Sequence, residues 1–121
     1  VHLAAEAHRE HLNNIETVWA DIEKTGGSKL RDQSVDWVVL SHTLFLSEHK
    51  DTVLKEAHRV LKRSGKLCFV EWTGSYGGMG PLPEQVISQE QATELFTNAG
   101  FSVDHTFDAG THHYGLIGTL I

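Results

Sequence analysis

Residues 34–72 read SVDWVVLSHTLFLSEHKDTVLKEAHRVLKRSGKLCFVEW, and their reading decides the fold. The run at 35–40 is short, apolar and dominated by valine. Such a run suits a strand buried on both faces of a parallel sheet. From about residue 50 to 62 the period changes. Val53, Leu54, Ala57, Val60 and Leu61 recur at helical spacing, with Lys55, Glu56, His58, Arg59 and Lys62 between them. Ser47 or Asp51 can cap the start of this helix, and Gly65 sits where a left-handed residue is wanted after its end. Residues 66–71 are apolar again. Strand, helix and strand joined by short links predict a βαβ unit with parallel strands and a right-handed crossover.

The composition sets outer limits. A chain of 121 residues supports one small domain around one core. The formal net charge of −6 argues against a nonspecific nucleic-acid binder, which needs a basic face. Cys68 is the only cysteine, so no internal disulfide forms. It reads as an inert core thiol in a reducing compartment, which fits a cytoplasmic location. No apolar run approaches the roughly 20 residues of a membrane span.

Along the rest of the chain, residues 1–12 read as a helix that Asn13-Asn14 breaks. Residues 15–20 follow as a strand that ends at Asp21-Ile22. Residues 24–29, KTGGSK, form a loop with Gly26-Gly27 as its pivot. Residues 73–83, TGSYGGMGPLP, hold four of the 11 glycines and both prolines. They read as a mobile loop over the carboxyl edge of the sheet. Ser88 and Gln91 make a capping box for a helix whose buried stripe is Ala92, Leu95, Phe96 and Ala99, and Gly100 stops it. Two strands, 101–107 and 114–121, close the chain as a hairpin.

VDWVVLS, a helix ending in RVLKRSGKL, and an apolar strand ending in an acid together resemble the second half of an S-adenosylmethionine-dependent methyltransferase of the Rossmann-like, small-molecule type. HLNNIETVWADIE and ISQEQATELFTNAGFSV resemble the same family, so the likeness covers about residues 6–121. Arg63, Ser64 and Gly65 stand where the family usually has Pro-Gly-Gly. The family's glycine-rich cofactor turn is missing, since there is no GxGxG. The resemblance therefore implies one partial domain over residues 1–121. Its fold is α/β, a Rossmann-like sheet with helices on both faces and a C-terminal antiparallel hairpin, truncated at the N-terminus. A proteolytic or cloned piece, a gene fragment and a natural half-domain all fit that expectation.

The same resemblance implies a cofactor, S-adenosylmethionine, and a small-molecule methyl acceptor as partner. It places Asp21, Ile22, Ser41, His42 and Leu44 against the cofactor, with Phe45 near the sulfonium. A base is needed only if the acceptor must lose a proton, and His42 is the candidate. A hydrogen-bonded loop histidine is the other reading of His42. Glu71 either contacts the acceptor or caps its strand. Trp72, Tyr76 and Met79 either line an acceptor pocket with Phe45 or simply cover the sheet end. His112 and His113 are adjacent and point to opposite faces of a strand, so they do not make a metal site. Without the strands that the family places between residues 15–20 and 35–40, both segments present unpaired edges. Self-association or exchange of elements between copies is the expected consequence. A noncatalytic half-domain that pairs strands with a partner is the alternative to an enzyme.

Overall fold

A computed structural model describes residues 2–121, with side chains from residue 5 onward. The elements in order are α1 (His2–Arg9), β1 (Val35–Ser41), a 3₁₀ turn (Leu44–Leu46), α2 (Lys50–Val60), β2 (Leu61–Trp72), a second 3₁₀ turn (Pro83–Gln85), α3 (Gln89–Asn98), β3 (Phe101–Asp108) and β4 (His113–Leu120). Val1, which the sequence reading put inside the first helix, lies outside the described residues.

The four strands lie in the order β1-β2-β4-β3. β1 and β2 are parallel, with Val39 opposite Cys68 and Ser41 opposite Val70. This is the βαβ unit expected from residues 34–72. β4 runs antiparallel to both β2 and β3, which gives the expected terminal hairpin.

The core lies between the sheet and α2 with α3. Leu54, Leu61, Leu67, Phe69, Phe96, Phe101 and Leu116 are completely or almost completely buried there. Phe69 meets Phe96 edge-on, with ring centroids 5.5 Å apart. Burial in β2 alternates strictly from Gly65 to Trp72, as one covered face requires. α3 begins as predicted: Ser88 Oγ accepts from Gln91 N at 3.1 Å, and Gln91 Oε1 accepts from Ser88 N at 2.9 Å. Gly100, at φ +93°, ends the helical turn against the His58 ring.

Four expectations are corrected. Residues 15–20 form no strand; Val18 and Trp19 are exposed, and no neighbouring ribbon among the described residues supplies hydrogen bonds. β1 is not buried on both faces. Val38 and Leu40 pack on the core, but Trp37 is 54% and Val39 63% exposed. α2 ends with Leu61 in an extended conformation, not at Gly65. Gly65 instead sits inside β2, where a Cβ would come within 3.1 Å of the Asp36 carbonyl oxygen of β1. The register slips at this point, since Val35 pairs with Leu61 but Trp37 with Lys66. The residues between them bulge out and do the work expected of a turn. Finally, Glu56, set between the apolar positions by the helical period, is buried with them. It is 4% exposed and holds the 24–29 loop, as described below.

Candidate active site at the carboxyl edge of the sheet

In an open α/β sheet, ligands bind beyond the carboxyl ends of the parallel strands. β1 ends at Ser41 and β2 at Trp72, side by side. His42 follows Ser41 with φ +56°, a left-handed conformation that costs a non-glycine residue free energy. Its amide still donates to Val70 O at 3.0 Å, which fixes the bend. The bend turns the imidazole over the end of β2. There it stacks on His113, with centroids 4.4 Å apart and planes at 26°. His113 also meets Trp72 at 4.3 Å, and Tyr76 meets His112 at 4.1 Å. Five rings from three segments thus form one cluster. Burial and the neighbouring His42 and His112 push the His113 imidazole below the usual histidine range. His112 Nδ1 and His113 Nε2 are buried without a hydrogen-bond partner among the described residues.

Glu71 lies beneath this cluster, completely buried. Its carboxylate accepts from Phe45 N at 3.3 Å and from Trp72 N at 3.1 Å. Burial raises its pKa, and those amides oppose the shift. Of the two roles open to Glu71, the geometry supports the cap: it ties the 3₁₀ turn after β1 to the end of β2 and has no surface left for an acceptor. Leu44 is likewise in the core, 1% exposed, while Phe45 is half-buried on the core's rim. Ser41 is exposed, and its carbonyl accepts from Thr43 Oγ1 at 2.9 Å.

The loop 73–83 folds back over Trp72. Thr73 N donates to His112 O at 2.8 Å, and Ser75 Oγ to Pro81 O at 2.9 Å. Gly80, at φ +77°, lies flat on the indole, where a Cβ would come within 2.6 Å of the Trp72 ring. Met79 bridges to Tyr76 but stays 49% exposed at the tip.

Asp21 and Ile22 reach the same edge from a turn and not from a strand end. Glu23 explains how. Its Oε1 accepts from Ser47 Oγ at 2.5 Å and from Glu48 N at 3.0 Å, so it fastens the segment before α2. These bonds hold its carboxyl below the ordinary value. Ser47 Oγ in turn accepts from His49 N at 3.2 Å. The N-cap of α2 is His49, which makes no side-chain cap bond, so the cap expected from Ser47 or Asp51 does not form. The anchored turn and the segment after β1 enclose a cleft of about 270 Å³. Asp21, Ile22, Thr43, Leu46 and Val53 line it. The structure therefore brings Asp21 and Ile22 together with the segment after β1. It puts His42, Trp72 and Tyr76 in a separate cluster with His112 and His113, two residues that the sequence reading had set aside.

A second anchor fixes the 24–29 loop. Glu56 accepts from Gly26 N at 2.8 Å, Ser28 N at 3.0 Å and Ser28 Oγ at 2.6 Å. Arg59 donates to the same carboxylate from Nε at 2.9 Å and Nη2 at 2.7 Å, and to Leu30 O at 2.8 Å. These donors hold the Glu56 carboxyl far below the usual range. The sequence held the signal. Glu56 lies three residues after Val53 and four before Val60, on the buried stripe, where only a paired acid is tolerated.

No described helix is long and apolar enough to cross a membrane. Residues 1–69 match a family described as a methyltransferase domain. The chain is 38% identical over 68 residues to an arsenite methyltransferase of Aquipseudomonas alcaligenes, covering 56% of this chain and 20% of that protein. It is 33% identical over 81 residues to the human arsenite methyltransferase, covering 67% and 20%. The chain thus spans about a fifth of the length of these curated relatives. A solved structure, a SAM-dependent methyltransferase from Aquifex aeolicus, superposes with a TM-score of 0.84 at 23% identity. The match covers 98% of this chain and 61% of that one.

Proposed function

This chain belongs to the methyltransferase-domain family, and we propose that it forms the adenine-side and acceptor-side parts of a site that moves a methyl group from S-adenosylmethionine to a small molecule. One observation carries this reading. The turn at Asp21-Ile22 and the segment after β1 meet in a single cleft at the carboxyl edge, although 20 residues or more separate them in sequence. In this reading Asp21 accepts from an adenine amino group, and Ile22 and Leu46 pack on its ring. The fit to the cofactor is partial. No glycine-rich turn exists among these 121 residues to let backbone approach the rest of it. The isolated chain accordingly binds weakly and is impaired as a catalyst.

When bound, S-adenosylmethionine supplies a methyl group on a sulfonium, whose leaving group becomes neutral on transfer. Positioning then supplies most of the rate. The capped turn at Leu44–Leu46, tied down by Glu71, sets the distance between cleft and ring cluster. His42 takes a proton if the acceptor is an oxygen or amine. Its stack on His113 disfavours a second positive charge at 4.4 Å, so His113 stays neutral when His42 is charged. Trp72 and Tyr76 present ring faces to an acceptor once the 73–83 loop lifts, with Met79 and Phe45 at the margins. Trivalent arsenic needs soft thiolate ligands. Cys68 is the only thiol, half-buried in β2 with its pKa raised by burial. Nothing in these residues favours the acceptor named for the curated relatives.

Calorimetric titration with S-adenosylhomocysteine tests the reading. Expected is weak binding, with a dissociation constant on the order of 0.1–1 mM, weakened further by Asp21→Ala. Submicromolar binding would contradict a partial site. A second reading is a noncatalytic half-domain that pairs strands with a partner, favoured by the bare edge of β1. Complete absence of binding, with the fold intact, would select it.

A further inference from the structure

Two buried nitrogens at the carboxyl edge have nothing to bond. His112 Nδ1 and His113 Nε2 are shut off from solvent by this chain's own residues, and neither has a hydrogen-bond partner among the described residues. Leaving a buried polar atom unpaired costs free energy that a bonded partner recovers.

The cover over this cluster is thin and flat. Gly80, at φ +77°, rests on the Trp72 indole, where a Cβ would come within 2.6 Å of the ring. His113 meets the same indole at 4.3 Å, and Tyr76 lies 4.1 Å from His112. The Tyr76 hydroxyl is already paired with Thr73 Oγ1, so Tyr76 offers only its ring. No atom lies within 4 Å of where a Cβ would sit on Gly77 or Gly78, so nothing packs against the loop tip at those positions. Lifting Gly80 uncovers an aromatic face flanked by the two unbonded nitrogens.

We propose that the acceptor is a planar aromatic ring bearing a hydroxyl. It lies on Trp72 in the place of Gly80, with its hydroxyl bonded to His113 Nε2. This deepens the acceptor side of the function proposed above and rests on that reading. A flat ring replaces a flat peptide on the indole and gains an offset stack, whereas a saturated ring is too thick. The hydroxyl follows from the histidine. An imidazole nitrogen accepts or donates according to its tautomer, and a hydroxyl does both, while an ammonium only donates. In the transfer an oxygen lone pair forms the new O–C bond as the C–S pair stays on sulfur. The hydroxyl proton passes to His42, which stacks on His113 at 4.4 Å. His113 thereby becomes a specificity-determining residue.

Titrations of the unaltered chain with 2-naphthol, naphthalene and decahydro-2-naphthol test this, read at the Trp72 indole and the His112 and His113 imidazole resonances. 2-Naphthol is expected to move them all and to bind about fivefold tighter than naphthalene, with the saturated alcohol weakest. His113→Phe keeps a ring and removes the nitrogen, and should reduce 2-naphthol to the level of naphthalene. Gly80→Ala disfavours the closed loop and should tighten 2-naphthol about threefold, because the open form is no longer so rare. A purely structural ring cluster would show no such gain. Equal binding of the three probes overturns the proposal, as does Gly80→Ala without tighter binding. So does 2-naphthol that leaves Trp72 unmoved while S-adenosylhomocysteine still moves Asp21 and Ile22, a result that spares the donor reading. The reverse pattern overturns the donor reading and leaves the hydroxyl-ring site standing.

Discussion

The loops at 24–29 and 73–83 both depend on glycine, yet opposite physics holds them in place. In the first, Gly27 is wedged against the Asp21 carbonyl and Gly26 takes φ +74°. The loop is fastened by a buried carboxylate, Glu56, with every acceptor oxygen used. In the second, Gly80 lies on the Trp72 ring and the contacts are mostly ring faces. Buried charge fails abruptly when a partner is lost, because an uncompensated ion remains. Stacked rings lose contact gradually and can part without leaving a charge behind. The 24–29 loop is thus built to stay fixed, and the 73–83 loop to open.

Substitutions in the two loops separate these behaviours. Glu56→Ala strands Arg59 and the Gly26 and Ser28 amides, and is expected to cost about 3–5 kcal/mol in urea unfolding. Limited proteolysis should then cut near residues 24–33 and spare 73–83. Trp72→Ala is expected to cost about 2–3 kcal/mol, less than a fully buried tryptophan, and to reverse the cleavage pattern. Equal cleavage of both loops in either variant would erase the distinction. Gly80→Ala, which pushes a methyl into the indole at a left-handed φ, should cost about 1–2 kcal/mol. Ser88→Ala, remote from both loops, should cost about 1 kcal/mol through the lost cap.

Acid sharpens the same contrast. Glu56 has a folded pKa below its unfolded value of about 4.5. Its contribution to stability is complete above that value and is lost as pH falls through the acid range. Glu71 is shifted upward by burial, so its contribution has the opposite sign and weakens as pH rises above 4.5. Acidification should therefore free the 24–29 loop first. Melting the Glu56→Gln variant across pH 3–6 checks this, and an acid dependence identical to that of the unaltered chain would contradict it.

The parts of the fold legible in sequence were those with local causes. The valine run, the helical period at Val53, Leu54, Ala57 and Val60, and the Ser88–Gln91 box each carry their own physics, and each appears. Residues 15–20 look like a strand because their residue types favour one, but a strand needs a neighbour to bond, and none lies beside them among the described residues. Gly65 was misread because a stop after a helix and a close approach of strands both call for glycine. Glu23 was invisible as an anchor because its partners, Ser47 and Glu48, lie more than 20 residues away; Glu56 was marked by its place on the buried stripe, but its loop partners Gly26 and Ser28 were not. At the site, the roles of Asp21 and Ile22 came from family resemblance, and their meeting with Thr43 and Leu46 came from tertiary structure. The ring cluster was half legible: Trp72 and Tyr76 were marked, but His112 and His113 join them only across the β2–β4 pairing.

The proposed methyl-donor site is the cleft between the Asp21 turn and the end of β1. Amide shift mapping during a titration with S-adenosylhomocysteine tests it most directly. Asp21, Ile22, Thr43 and Leu46 are expected to shift together, saturate with one dissociation constant, and fall silent in Asp21→Ala. Shifts confined to the separate cavity of about 350 Å³ lined by Lys50, Glu84, Ile87 and Leu95 would contradict it.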